Sequence, residues 1–141
     1  MKENTLLNEV SAITAAMYDV AENIEANEPD EKWRTVSKLK NAANDAYFCV
    51  AQVVGAGKAQ SAEYDCVNAR KNLNTLKSMY IFACKQDMTE LDPNIVVRID
   101  KAVITIDAEQ TAGQKEVKRK TDDEMKPWLE KYKIWQKISK D

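Results

Sequence analysis

Apolar residues recur at an average spacing of 3.5 along most of this chain, and this spacing constrains its fold more than any other feature. The first stripe is Leu6, Val10, Ile13, Met17, Val20 and Ile24. Residues spaced in this way line one side of a helix, because an α-helix completes a turn every 3.6 residues. The stripe predicts a long helix that ends at Asn27-Glu28-Pro29-Asp30, because proline begins a helix well but cannot continue one.

Three further stripes follow. The second is Val36, Leu39, Ala43, Ala46, Val50 and Val53, ending at Gly55-Ala56-Gly57. The third is Ala62, Cys66, Ala69, Leu73, Leu76, Tyr80 and Ala83, widened by Met79 and Phe82. The fourth begins at Asp92-Pro93, with Asp as the predicted N-cap, and is Val96, Ile99, Val103 and Ile106. Its β-branched residues favour a strand by propensity alone, but the charges between them do not alternate at period two, so we predict a helix.

These stripes predict an all-α fold, namely an antiparallel up-down-up-down four-helix bundle over residues 1–113. A basic and aromatic C-terminal extension follows over residues 114–141. The composition agrees, since 3 Gly and 3 Pro among 141 residues leave few turns. No run approaches the 18 or so apolar residues of a membrane span, and we expect a soluble cytoplasmic protein.

The chain contains no histidine, which excludes Ser-His-Asp and Cys-His nucleophiles and His-ligated metal sites. Its three cysteines show no CxxC spacing, and we interpret them as buried small side chains. Asp100 and Asp107 share a helix face that we expect to be solvated. We therefore predict no catalytic residues, no metal site and no cofactor, and a protein that is not an enzyme.

Charge is unevenly distributed: residues 1–32 carry a net −6, residues 33–113 a net +1 and residues 114–141 a net +3. Cations project from the second and third predicted helices together with several asparagines. The candidate binding residues are Lys38, Lys40, Arg70, Lys71 and Lys77. A positive, amide-rich face made by two helices suits phosphate and sugar contacts. The alternative is an ordinary solvent-exposed bundle face.

The C-terminal extension holds two of the three tryptophans in a cationic surround, after the acidic run Asp122-Asp123-Glu124. Its aromatic residues Trp128, Tyr132 and Trp135 are candidates for docking a partner. The extension can equally fold back to cover the bundle, and binding to a membrane surface is the least supported alternative.

The second and third stripes contain Leu39-Lys40-Asn41-Ala42-Ala43, then Val50-Ala51-Gln52, a glycine-bearing turn and Ser61-Ala62-Glu63-Tyr64. Over residues 33–88 this pattern resembles a small four-helix-bundle family. The family includes proteins encoded in intervening sequences of 23S ribosomal RNA genes and the accessory variability determinant (Avd) proteins of diversity-generating retroelements. Cys49, Gln52 and Val53 depart from the ribosomal-type pattern, which favours the retroelement branch.

The resemblance implies a non-catalytic homo-oligomeric ring, typically a pentamer, that binds structured RNA and a reverse transcriptase to support mutagenic cDNA synthesis. It assigns RNA or polymerase contact to the five cations and docking to the aromatic residues of the extension. Two alternatives remain: a helical protein–protein interaction module, and a ribosomal-RNA-associated bundle without a reverse transcriptase partner.

Overall fold

The computed structural model describes residues 2–56 and 62–108, and this part of the chain is helical with no strand. Four long helices follow in order: α1 is Lys2–Asn27, α2 is Ser37–Ala56, α3 is Ala62–Lys85 and α4 comprises residues 93–108. A 3₁₀ turn at Pro29–Glu31 and a π-helical turn at Lys32–Val36 connect α1 to α2. The predicted all-α class is confirmed. None of the described helices is long and apolar enough to cross a membrane.

Prolines mark two helix boundaries, as the sequence predicts. Pro29 occupies the beginning of the 3₁₀ turn just after α1 ends. Pro93 begins α4, where the Asp92 carboxylate accepts a hydrogen bond from the backbone N–H of Asn94 at 3.0 Å. Asp92 is therefore the N-cap of α4, and its side chain satisfies a backbone donor that the first helical turn leaves free.

α3 ends without a glycine, which the sequence does not reveal. Asp87 adopts a left-handed conformation with φ of 58°. The backbone N–H of Met88 donates to the carbonyl of Ala83 at 3.0 Å, and that of Asp87 donates to Cys84 at 3.1 Å. This pair of hydrogen bonds is a Schellman motif, in which an aspartate occupies the position that glycine usually takes.

The core confirms most of the predicted stripes. All six residues of the second stripe are buried, five of them in α2 and Val36 in the π-helical turn before it. The α3 stripe residues from Cys66 to Ala83 are buried as well. In α1 the exception is Val20, which is half-buried while its neighbour Ala21 is buried. Phe82 does not widen the α3 stripe, because its side chain is 55% exposed.

In α4, two of the four buried positions differ by one residue from the predicted ones. Its buried residues are Ile95, Ile99, Ala102 and Ile106. Val96 and Val103, which the sequence analysis placed in the core, are only half-buried. In this orientation Asp100 and Asp107 face cations of α3, and Val96 and Val103 lie on the helix surface between these carboxylates and the buried residues.

Neighbouring helices are joined by polar contacts as well as by the core. The side-chain amide of Asn44 on α2 donates to the Tyr18 hydroxyl on α1 at 2.7 Å. The amide of Asn72 on α3 donates to the Cys49 sulfur on α2 at 3.3 Å. Two of the asparagines predicted for the binding face are therefore used between helices.

Candidate functional site

Two of the five predicted binding cations form ion pairs with α4. Arg70 Nη1 contacts Asp107 Oδ1, and Lys77 Nζ is 2.8 Å from Asp100 Oδ1. Arg70, which comes first in α3, pairs with the acid that comes last in α4. The two cations are seven residues apart, and so are the two acids. The side chains of Arg70 and Lys77 are only 29% and 30% exposed. Their charges are thus partly neutralised before any ligand binds.

The same contacts correct the expectation that Asp100 and Asp107 form a solvated face. Their side chains are 46% and 49% exposed, and each has a cation of α3 as its partner. A sequence pattern cannot show this pairing, because it joins residues 23 and 37 positions apart.

The remaining three cations lie on different sides of their helices. Lys40 Nζ is 5.6 Å from the centroid of the Tyr18 ring, which places it beside α1. Lys38 lines a cleft against α3 instead. Lys71 is exposed on α3. The structure does not bring the five cations together on one face.

A cleft lies where the beginning of α2 meets the end of α3. We call it the α2–α3 cleft, and its volume is about 700 Å³. Its lining residues are Glu31, Arg34, Thr35, Lys38, Leu39, Ser78, Met79, Phe82 and Met88. The sequence does not reveal this cleft, because the cleft is formed where the π-helical turn meets Met88, which follows the end of α3. The only available signal was Phe82 beside Met79 at the edge of the third stripe.

Charges at the rim of the α2–α3 cleft are partly tied to one another. The Thr35 hydroxyl donates to Glu31 Oε2 at 2.8 Å, and Arg34 Nη1 is 4.0 Å from Glu31 Oε1. The Arg34 side chain is nevertheless 79% exposed. The rim therefore presents the cations Arg34 and Lys38 against one carboxylate that already has two partners.

The three cysteines are free thiols, and Cys66 is buried as the sequence predicts, whereas Cys49 and Cys84 are only half-buried. Burial is the main cause that raises the pKa of the Cys49 thiol, and the nearby Asp45 and Asp65 add to it. Burial likewise raises the pKa of Cys84. These shifts keep both thiols protonated at neutral pH, so they are weak nucleophiles and weak metal ligands. Among residues 2–56 and 62–108, no group of three possible ligands is positioned for a metal ion.

Several large apolar side chains lie on the outer surface. Those most exposed are Trp33 at 82%, Tyr64 at 71%, Phe48 at 65%, Ile104 at 65%, Phe82 at 55% and Leu91 at 55%. They come from every part of the described chain except α1. Side chains of this kind are enriched in surfaces that bind other proteins.

The docking residues predicted in the extension, Trp128, Tyr132 and Trp135, lie outside the described residues, as does all of residues 114–141. The predicted division into a bundle and an extension therefore stays a prediction. No protein-family model, curated protein or solved structure matches the chain. The similarity to the Avd and intervening-sequence family rests on the sequence motifs alone.

Proposed function

We propose that this chain is a non-catalytic accessory protein of the Avd type, a cytoplasmic homo-oligomer that binds a reverse transcriptase and structured RNA. In this role it supports mutagenic cDNA synthesis in a diversity-generating retroelement. The observation that favours a binding role is the set of exposed aromatic side chains Trp33, Phe48, Tyr64 and Phe82, because aromatic residues are enriched in the cores of protein interfaces. The choice of partners follows from the sequence resemblance.

Contacts between the helices support the bundle topology that this function requires. Arg70 pairs with Asp107 and Lys77 with Asp100, an order that fits α3 and α4 running in opposite directions. Cys49 meets Asn72, while Lys38 lines the same cleft as Phe82, which fits the same relation for α2 and α3. We infer an antiparallel up-down-up-down bundle, in which Leu39, Ala42, Ala43 and Val50 of the resembling motifs pack into the core.

Exposure divides the proposed RNA-contacting cations into two groups. Lys38 and Lys71 are exposed and Lys40 is half-buried over a ring, so these three supply the stronger phosphate contacts. Arg70 and Lys77 supply less, since each would have to leave its carboxylate. Binding through phosphates should weaken steeply with salt, because condensed counterions are released from the RNA.

RNA binding is tested with the purified full chain and a fluorescently labelled RNA hairpin over a series of salt concentrations. We expect Lys71→Glu to weaken binding and to reduce the slope of log Kd against log salt by about one. Lys101→Glu on α4, also at an exposed position, is the matched control and should leave both unchanged. Absence of salt-dependent binding would contradict the RNA part of the proposal.

Assembly is tested by measuring the mass of the chain in solution with light scattering. We expect a homo-oligomer, with five subunits as the value that the resemblance implies. A monomer at micromolar concentration would contradict the proposed ring. Co-purification of the chain with a reverse transcriptase from its own genetic neighbourhood tests the polymerase partner directly.

A helical protein–protein interaction module is the second candidate. The neutralisation of Arg70 and Lys77 by α4 favours it, because it removes two cations from the proposed RNA surface. Such a module binds its partner through apolar side chains, and its affinity should change little with salt. The salt series therefore separates the two candidates.

A further inference from the structure

We propose that residues 122–129 of this chain bind in its own α2–α3 cleft. These residues lie outside the described part of the chain and follow α4 after a polar link. The inference does not rest on the proposed function, because its test uses the isolated chain with neither RNA nor polymerase present.

The cleft has the apolar surface that a docked side chain needs. Its accessible floor consists of Met79 and Met88, which are half-buried and cover the fully buried Leu39. Phe82 leaves more than half of its surface uncovered there. Methionines adapt their shape to a ligand, and a volume of about 700 Å³ lies within the range of occupied binding sites.

Part of the rim is built on an uncommon element. Arg34 and Thr35 belong to the π-helical turn Lys32–Val36, and Glu31 precedes it. Single π turns occur frequently at functional sites. Arg34 and Lys38, four residues apart, lie on the same rim, so the cleft presents an apolar floor below a cationic edge.

Residues 122–129 have the complementary pattern. Asp122-Asp123-Glu124 supply three consecutive carboxylates, and Met125, Trp128 and Leu129 supply apolar side chains. The carboxylates fit the Lys38 and Arg34 edge, and Trp128 fits the floor beside Phe82. This is the only run of three consecutive acids in the chain, and three large apolar residues follow it within five positions.

The connection is long enough for this contact within one molecule. Residues 109–121 separate the end of α4 from the proposed ligand, and these 13 residues span up to about 43 Å when extended. The cleft lies at the end of α3 that leads into α4, so the segment must return along α4. That helix has 16 described residues and a length of about 24 Å.

The test measures how well iodide or acrylamide quenches the fluorescence of Trp128. The variant Trp33→Phe with Trp135→Phe leaves Trp128 as the only tryptophan in the full-length chain. We expect quenching severalfold weaker than for a free tryptophan analogue, and independent of protein concentration. Adding Lys38→Glu should lower the docked population up to about fivefold, since an exposed charge pair contributes up to about that factor. Phe82→Ala should also increase quenching.

Lys71→Glu is the matched control, because Lys71 is an exposed cation of α3 that does not line the cleft. It should leave Trp128 protected, and circular dichroism should show equal helix content in every variant. Asp123→Lys combined with Lys38→Glu should restore protection. Full quenching of Trp128 in the parent, or protection that survives Lys38→Glu with Phe82→Ala, would overturn the proposal. Protection that rises with concentration would overturn the assignment to the same molecule, and so would protection that appears only when a protein partner is added.

Discussion

The Tyr80 hydroxyl accepts a hydrogen bond from the backbone N–H of Asp92 at 2.8 Å, and it lies 3.3 Å from the carbonyl of Glu90, to which it can donate. One fully buried side chain of α3 thus holds the backbone of the loop that leads into α4. The N-cap of α4 is Asp92 itself, so the position of this loop sets where α4 begins.

Tyr80→Phe should therefore destabilise the fold by about 1–2 kcal/mol, because it leaves the Asp92 N–H without its partner while preserving the packing of the ring. Urea unfolding followed by circular dichroism measures the change. Tyr64→Phe is the matched control, since Tyr64 is 71% exposed and should lose almost nothing. Equal effects at the two positions would refute the role of the Tyr80 hydroxyl.

The same hydroxyl should make the free energy of unfolding depend on pH in the alkaline range. Burial is the largest cause that raises the pKa of Tyr80 above its ordinary value near 10. A group with a raised pKa in the folded state stabilises the fold fully below its unfolded pKa and loses this contribution as pH rises through the folded pKa. The difference in unfolding free energy between the parent and Tyr80→Phe should therefore shrink above about pH 10. A difference that grows with pH in this range would contradict the assignment.

Lys77→Glu should cost about 1 kcal/mol, because it places two acids together where Lys77 and Asp100 now pair at a half-exposed site. Exchanging the two charges, with Lys77→Glu and Asp100→Lys together, should recover most of the loss. Unfolding in low and in high salt measures both effects, and high salt should reduce them. A double variant no more stable than Lys77→Glu alone would show that the pair contributes nothing.

Asp87→Gly should stabilise the protein by about 0.5–1 kcal/mol. Glycine adopts the left-handed conformation at no steric cost, and the change also removes a negative charge from the C-terminal end of α3. The same substitution at Asp45, inside α2, should destabilise by roughly 0.2–0.4 kcal/mol, because glycine is a somewhat poorer helix former than aspartate. Thermal unfolding of the two variants should shift in opposite directions, and a shift of the same sign in both would disprove the role of the Asp87 conformation.

The orientation of α4 is tested by placing a charge at adjacent positions. Ala102 is 4% exposed and Val103 is half-buried, so Ala102→Asp should destabilise the fold more than Val103→Asp. We expect the difference to exceed about 1 kcal/mol in urea unfolding. The reverse order would restore the stripe that the sequence analysis predicted.

The helical class and the core of α2 follow from the sequence because Leu39, Ala43, Ala46, Val50 and Val53 keep a spacing of three or four, even though residues 46–51 are all apolar. In α4 the pattern is ambiguous, since Ile95 with Ala102 and Val96 with Val103 are both apolar pairs seven apart. Which pair enters the core depends on how α4 meets the other helices, including its ion pairs with Arg70 and Lys77, and these contacts join residues distant in sequence.

The candidate site was less accessible to sequence reasoning for the same physical reason. Neither the neutralisation of Arg70 nor the α2–α3 cleft arises from a local pattern, because each depends on how two helices meet. The left-handed Asp87 was missed because glycine is the usual signal for that conformation.

The two ion pairs between α3 and α4 share one spacing, and this limits how the helices can slide. Moving α4 by a single turn, about 5.4 Å, separates both pairs at once. Moving it by seven residues leaves one cation opposite one acid, while the other cation and the other acid lose their partners. Both ion pairs can therefore form together in only one register of α4 against α3, and every neighbouring register loses at least one of them.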